Sequence, residues 1–522
     1  MWQKFQRVIG DSAVAAKNFP VPGASKGCSA LFAALDHHAG RLALIEPAGR
    51  RLSYADMLAA GDGLAAAVRD FAAGRPLVAV LCRNDADCIA GYVGLMRAGA
   101  AVLMLHHSIQ PAQLDDVLGR FPPAFVYAPN DVAPGGAEAA RLGAYVLWRR
   151  PGPALDLHPD LSLLLTTSGT TGSRSFVRLS AANLLANARA IARYLEIGGD
   201  DRAITTMPLS YSYGLSIVHS HLLQGASLVA TEDSVVSAPF WRVLRDLAVT
   251  TMGGVPFIYD MLKKLRFARM DLPALKVLTQ AGGRMAPELV SEFAESCAAS
   301  GRRLIVMYGQ TEATARISWL PWEQVLLRPG SIGQAIPEGH LWLEAEDGTV
   351  IDRPGTVGEL VYAGPNVSMG YASVAADLAR GDDNGGVLRT GDMATCDEDG
   401  YFFIVGRRKR FLKIFGHRVN LDDLERVLHS AGLDCACAGT TDSYKSSHAL
   451  HSAGLDCACA GTDDDLTIYA CGASAEQVRD AVASRTGLTP QMVKVRLIAA
   501  IPRAESGKVD YGRLATMGPS HG

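Results

Sequence analysis

At 522 residues the chain is too long for one compact core, and two or three domains is the natural expectation. With 48% hydrophobic residues, 20% charged residues and a formal net charge of −3, it has a globular composition and no electrostatic reason to hold nucleic acid. No apolar run reaches membrane-span length, Met1 to Gly23 lacks the apolar core of a signal peptide, and the ten cysteines read as reduced thiols, so the expected compartment is the cytoplasm.

The elements alternate from the start. Ser53 is placed to cap a helix running to about Phe71. Leu77 to Cys82 is a short apolar run, predicted as a buried strand. A helix follows from Asp85 to Arg97, a strand from Ala101 to Leu105, and a further helix from Pro111, a residue suited to a first helical turn. Strand and helix in alternation predict helices packed on a largely parallel sheet, with ligands at the carboxyl ends of the strands. Beyond Gly391 the chain turns polar. Tyr401 to Val405 reads as a strand, a basic run from Arg407 to Arg418 follows, and Leu421 to Leu428 reads as helical. The domain boundary is placed in that run, giving a large domain of residues 1–408 and a small one of 409–522.

His429 to Thr440 reads HSAGLDCACAGT, and His451 to Thr462 repeats it without change. A single identical pair is not a solenoid. A recent tandem duplication, or an artefact of the sequence record, explains it better than a metal or redox site on Cys435, Cys437, Cys457 and Cys459. Cys-x-Cys is not the usual structural-zinc spacing, and no histidine pair accompanies it. The duplicated region, residues 429–462, is expected to add a surface loop.

The strongest local signal is Leu163 to Gly172, LLLTTSGTTG. Gly169 and Gly172 let the backbone approach an anion. Thr167, Ser168, Thr170 and Thr171 supply hydroxyls that, with backbone N–H groups, can wrap phosphate oxygens. The spacing is not that of a Walker loop, and alone such a cluster is more often an ordinary loop. Other segments follow it in order: Tyr308 to Glu312 (YGQTE), Gly358 to Tyr371 (GELVYAGPNVSMGY), Thr390 to Asp392 (TGD), Gly406 to Val419 (GRRKRFLKIFGHRV) and Ser506 to Lys508 (SGK).

With these motifs in this order, the chain resembles the adenylate-forming superfamily, closest in type to the acyl-CoA synthetases. The resemblance implies an α/β fold: a large multi-sheet N-terminal domain with helices on largely parallel sheets, and a small mobile α+β C-terminal domain. It implies ATP-dependent activation of a carboxylic acid to an acyl-adenylate with release of pyrophosphate. The acyl group would then pass to the thiol of CoA or of a carrier protein's phosphopantetheine. Glu312 would hold Mg²⁺, a hard cation suited to oxygen ligands. Thr311 would touch the α-phosphate, the Tyr308 ring would pack on adenine, and Gln310 stands beside them in the motif. Gly282 and Gly283 match a segment lining adenine and the acyl pocket. Asp392 would bind the ribose hydroxyls, and Arg407 the ribose or phosphates. Lys508 would be the central catalytic residue of adenylation, reaching the charge that develops on the reacting groups. Lys409 matches the hinge about which the small domain swings, and Gly416, His417 and Arg418 lie on the face presented for thiol attack.

Two departures bear on function. After Gly172 the resemblance implies x-Pro-Lys-Gly, but the chain reads Ser173, Arg174, Ser175, Phe176, so a serine stands where a lysine is expected. Arg174 or Arg178 is the candidate replacement cation, although an arginine is bulkier and differently shaped. In Met207 to Leu215, MPLSYSYGL, Ser212 falls where amino-acid-activating relatives carry an aspartate. Burying an unpaired ammonium there is costly, which disfavours α-amino acids. Tyr211, Ser212 and Tyr213 line the acyl pocket or pack the core. Beside the thiol ligase, two readings stay open: an adenylating enzyme acting on an amino acid or forming an amide, and a degenerate relative that only binds nucleotide or acyl ligand.

Overall fold

The computed structural model describes residues 31–71, 74–166, 175–407, 411–414, 417–421, 424–425, 428, 433–440, 465–486, 493–503, 509–510 and 513–514. The chain divides into two compact units: residues 1–168, 173–342 and 361–389 form the first, and residues 169–172, 343–360 and 390–522 the second.

The early elements of the first unit follow from local chemistry. The Ser53 hydroxyl accepts from the Asp56 N–H and the Asp56 carboxylate accepts from the Ser53 N–H, a capping box that starts the helix Tyr54–Arg69. Asp85 accepts from the Cys88 N–H and opens the helix Ala86–Arg97, and Pro111 sits in the first turn of Pro111–Arg120. Every residue of the strand Leu77–Cys82 is buried, as befits a parallel strand covered on both faces. Its alternation divides the core. Val78, Val80 and Cys82 join one apolar cluster, and Leu77, Ala79 and Leu81 join another.

These elements build an eight-stranded sheet with the order Tyr371–Ala372, Phe176–Ser180, Leu161–Thr166, Ala101–His106, Leu77–Cys82, Phe125–Pro129, Tyr145–Arg149 and Ala137–Leu142. The strands Leu161–Thr166 through Phe125–Pro129 are mutually parallel. A nine-stranded sheet completes the unit. It runs Gln334–Ala335, Ser318–Leu320, Arg303–Tyr308, Val277–Gln280, Thr251–Gly254, Arg202–Ile204, Ser227–Val229, Leu42–Ile45 and Arg51–Ser53. Its central strands are parallel, so Gly254, Gln280 and Tyr308 end side by side at one edge. This is the α/β arrangement the alternating pattern predicts.

In the second unit, residues 392–396 of the strand Val387–Cys396 pair antiparallel with Phe402–Arg407, as Phe411–Ile414 does with His417–Asn420. The strand Asp434–Thr440 pairs antiparallel with Asp465–Cys471, which pairs parallel with Val493–Leu497. The helix Ala475–Thr486 links the parallel pair, and Val478 and Val482 pack with Leu421, Leu424, Leu428, Ile468 and Val493. The first copy of the repeated segment therefore supplies a strand. Its Cys435 and Cys437 side chains are buried inside this apolar cluster. Cys457 and Cys459, with the rest of the second copy, lie outside the described residues. Among the described residues, no helix is long and apolar enough to cross a membrane.

Candidate active site

The strand Arg303–Tyr308 delivers the YGQTE segment to the carboxyl edge of the nine-stranded sheet, where open α/β sheets bind ligands. There the chain makes a closed excursion. It leaves after Tyr308, forms a short 3₁₀ turn over Thr311–Ala313, and returns so that the Ile317 N–H donates to the Tyr308 carbonyl at 2.9 Å. Gly309 is required by this closure, because a Cβ there would lie 1.9 Å from the Ala315 carbonyl oxygen. Thr314 closes the turn at φ 65° and ψ −54°. That is a strained conformation for a β-branched residue, costing about 1–3 kcal/mol, and such strain persists only where surrounding structure over-determines it.

Most of the predicted first-unit residues gather on this edge. The Gln310 amide donates to the Tyr308 hydroxyl at 3.1 Å. The Thr311 hydroxyl lies 3.2 Å from that of Ser212, the first residue of the helix Ser212–Leu223. Gly282 follows the strand Val277–Gln280 with φ 82°, and a Cβ on it would meet the Tyr211 hydroxyl at 2.7 Å and Val255 at 2.9 Å. Only glycine suits both that backbone and that approach. The carbonyl of Gly283 accepts from the Gln280 amide at 2.8 Å. Tyr213 turns away into the core: it is 1% exposed, its hydroxyl bonds Thr279, and the Arg316 guanidinium sits 4.1 Å over its ring.

Glu312 is partly exposed. Its carboxylate accepts from the Tyr371 hydroxyl at 2.7 Å and its backbone carbonyl from the Ser368 N–H at 2.8 Å. Tyr371, Ser368 and Asn366 belong to the GPNVSMGY segment, to which the sequence reading assigned no role. The signal was the run itself: a polar Asn and Ser inside an otherwise apolar stretch.

Ser175, in the place of the expected lysine, bonds the Ser373 hydroxyl at 2.9 Å. Arg178 does not supply the missing cation. Its side chain has no exposure, and the guanidinium bonds the carbonyls of Met369, Tyr371 and Arg380 and the Asp383 carboxylate. Burial lowers its pKa despite that carboxylate. It is a structural cross-link.

In the second unit the TGD and GRR motifs meet by strand register, Asp392 opposite Arg407. Arg407 Nε lies 3.0 Å from Asp392 Oδ1, the carboxylate 4% exposed and the guanidinium 60%. The Thr390 hydroxyl accepts from the Asp392 N–H and donates to the Leu360 carbonyl. His417 and Arg418 lie on the strand His417–Asn420. Thr167, Ser168, Gly169, Thr170, Thr171, Gly172, Arg174, Lys409, Gly416 and Lys508 lie outside the described residues.

With this geometry in hand, residues 31–372 match the model of a family described as "AMP-binding enzyme". The chain belongs to the AMP-binding enzyme family. Membership confirms the resemblance carried by the ordered motifs. It is similar to an indoleacetate–CoA ligase of Aromatoleum aromaticum, 28% identical over 424 residues, covering 76% of this chain and 81% of that one. It is similar also to a sulfoacetate–CoA ligase of Cupriavidus necator, 29% identical over 469 residues, covering 84% and 86%. Among solved structures, the o-succinylbenzoate CoA synthetase of Bacillus subtilis in complex with ATP and magnesium shares the fold. Its TM-score is 0.72 at 22% identity, with 92% of this chain and 98% of that one covered.

Proposed function

We propose that this ligase activates a carboxylic acid lacking an α-amino group with ATP and transfers the acyl group to CoA. A carboxylate oxygen bonds the α-phosphorus, the bond to pyrophosphate breaks, and acyl-AMP remains. The CoA sulfur then bonds the acyl carbon, AMP leaves, and the thiol proton passes to solvent. The observation that carries this reading is the closed turn at the sheet edge, with Thr311 and Glu312 on it, Tyr308 at its root, and Gly282 and Tyr211 beside it. The two CoA ligases among the relatives support the acceptor.

In this reading Thr311, held beside Ser212, donates to the α-phosphate, and the flat face of Tyr308 receives the adenine. Preset polar groups of this kind need no reorganisation as charge develops. Asp392 takes the ribose hydroxyls and Arg407 adds positive charge. Lys508 meets the charge developing between the acid and the α-phosphate. Ser212, which is 6% exposed, stands where an aspartate would be needed and carries no charge to pair with a substrate ammonium.

Glu312 also fits a magnesium ion. Its carboxylate is a hard oxygen donor at a partly exposed position, and Mg²⁺ takes one or two carboxylates together with substrate phosphates. When bound, the ion would neutralise phosphate charge.

ATP–pyrophosphate exchange with fatty, aromatic, short-chain and amino acids tests the reading. Exchange is expected with one class of acid other than the amino acids. It should fall by on the order of 10²–10³ in Lys508→Ala. CoA, but not a phosphopantetheine-bearing carrier protein, is then expected to discharge the adenylate. No exchange with any acid, despite ATP binding, would favour the degenerate relative, with Ser175 the first residue to restore to lysine.

A further inference from the structure

The GPNVSMGY segment grips the YGQTE turn at both its backbone and its catalytic side chain. Asn366, 1% exposed, is the hub. Its amide nitrogen donates to the carbonyls of Ala313 (2.9 Å) and Arg316 (2.8 Å), on either side of the strained Thr314. Its amide oxygen accepts from the Tyr362 hydroxyl at 2.7 Å, and its backbone carbonyl accepts from the Thr314 hydroxyl at 2.7 Å. Both donors and the acceptor of the amide are thus used, and the Tyr362 hydroxyl fixes which way the amide faces. Further along, Ser368 bonds the Glu312 backbone and Tyr371 bonds Glu312 Oε1.

The other side of this segment is tied to the strand that leaves the phosphate loop. The Met369 N–H donates to the Arg178 carbonyl at 2.9 Å, Arg178 returns bonds to the carbonyls of Met369 and Tyr371, and Tyr371–Ala372 pairs antiparallel with Phe176 and Val177. One strap of chain therefore spans from the strand after the phosphate loop to the carboxylate of Glu312.

We propose that Asn366 and Tyr371 are positioning residues for the cation–phosphate step, acting through Glu312. Asn366 holds the turn that carries the carboxylate. Tyr371 engages Oε1 and so orients the group, and Oε2 would be the oxygen offered to the ion when it binds. Outer partners of this kind orient a ligand carboxylate, and their loss typically costs 10–100-fold in metal affinity or activity. The inference rests on the reading of Glu312 as the magnesium ligand, and the test separates the two.

Mn²⁺ binding in the presence of ATP is followed by electron paramagnetic resonance in the full-length protein, with Mn²⁺ standing in for Mg²⁺ and no acid required. Exchange is measured in parallel against free Mg²⁺. Tyr371→Phe removes one hydroxyl from a half-exposed ring and is expected to melt as the parent does. It should weaken Mn²⁺ binding about 10-fold and raise the Mg²⁺ requirement to match, with the acid KM unmoved. Asn366→Ala should do the same and lower the melting temperature; Asn366→Asp, which lacks the amide donors, should not rescue it. Unchanged Mn²⁺ binding and Mg²⁺ requirement in Tyr371→Phe would overturn the proposal, even if Asn366→Ala fails to fold. If Glu312→Gln also binds Mn²⁺ like the parent, the underlying reading of Glu312 fails with it. If Glu312→Gln loses Mn²⁺ and Tyr371→Phe does not, only the positioning role is wrong.

Discussion

The turn that carries Glu312 and the hairpin that carries Asp392 hold their carboxylates by different means. The turn is a strained loop closed by buried hydrogen bonds to carbonyls, with Asn366 at the centre. The hairpin is an antiparallel strand pair whose register shifts between Met393 and Ala394, and its Asp392 carboxylate meets an arginine that stands 60% exposed. Buried amide networks fix geometry, because each unsatisfied group costs its full desolvation penalty. An exposed guanidinium adds charge but little rigidity. On the proposed function, the turn would serve the step that tolerates no misplacement and the hairpin the grip on the nucleotide.

The most direct way to break that contrast is a pair of isosteric changes. Glu312→Gln is expected to lower the exchange rate at saturating ATP by on the order of 10²–10³. Asp392→Asn should instead raise the ATP KM about tenfold, the loss of roughly 1.4 kcal/mol of binding, and erase discrimination against 2′,3′-dideoxy-ATP. The contrast is inverted if Asp392→Asn lowers kcat while Glu312→Gln moves only the ATP KM.

Stability provides a finer test, because the helix that presents Ser212 to Thr311 also carries two buried histidines. Burial pushes His219, bonded to the Tyr92 hydroxyl at 2.9 Å, down to about 3, and His221 down to about 4. The unfolded chain binds protons here before the folded one does. This stability is therefore complete above the ordinary histidine pKa of about 6.5 and is lost as pH falls from there toward the folded values. Asp85, pushed up to about 6 by burial, works the other way and offsets part of the loss. The net expectation is about 1–2 kcal/mol less stability at pH 5.5 than at pH 7, read from denaturant midpoints, with His219→Gln removing roughly three-quarters of it. These groups all lie in the first unit, so a probe in the hairpin should report no matching loss.

The smallest effect concerns the second unit alone. Thr440 pairs with Asp465, and residues 441–464 connect them. Deleting residues 441–462 leaves Asp463 and Asp464 as a two-residue hairpin connection in the same register. Shortening the loop should stabilise the three-stranded sheet by about 1–2 kcal/mol. Exchange activity should stay unchanged. Loss of folding on deletion would mean that the second copy supports the sheet.

Local rules made much of this molecule legible in advance. The Ser53 cap, the apolar run Leu77–Cys82 and Pro111 all sit where those rules put them, because each signal is complete within a few neighbouring residues. The meeting of Asp392 with Arg407, and of Gly282 with Tyr211, was implied only through the family resemblance. Asn366 was invisible as a hub, since its partners Ala313 and Arg316 lie some fifty positions away and follow no periodicity. Arg178 misled for a related reason: a basic residue near a phosphate loop looks available, and only the fold reveals the carbonyls around it.

The strand Asp434–Thr440 has a further consequence. The chain carries a second segment of identical sequence, and only Asp463 and Asp464 separate Thr462 of that copy from Asp465 in the sequence. Side-chain chemistry cannot choose between two identical candidates for one seat in a sheet. The connections differ in length: residues 441–464 separate Thr440 from Asp465, and residues 463–464 separate Thr462 from it. The sequence therefore offers two identical segments for one edge of the sheet, and synthesis releases the first before the second.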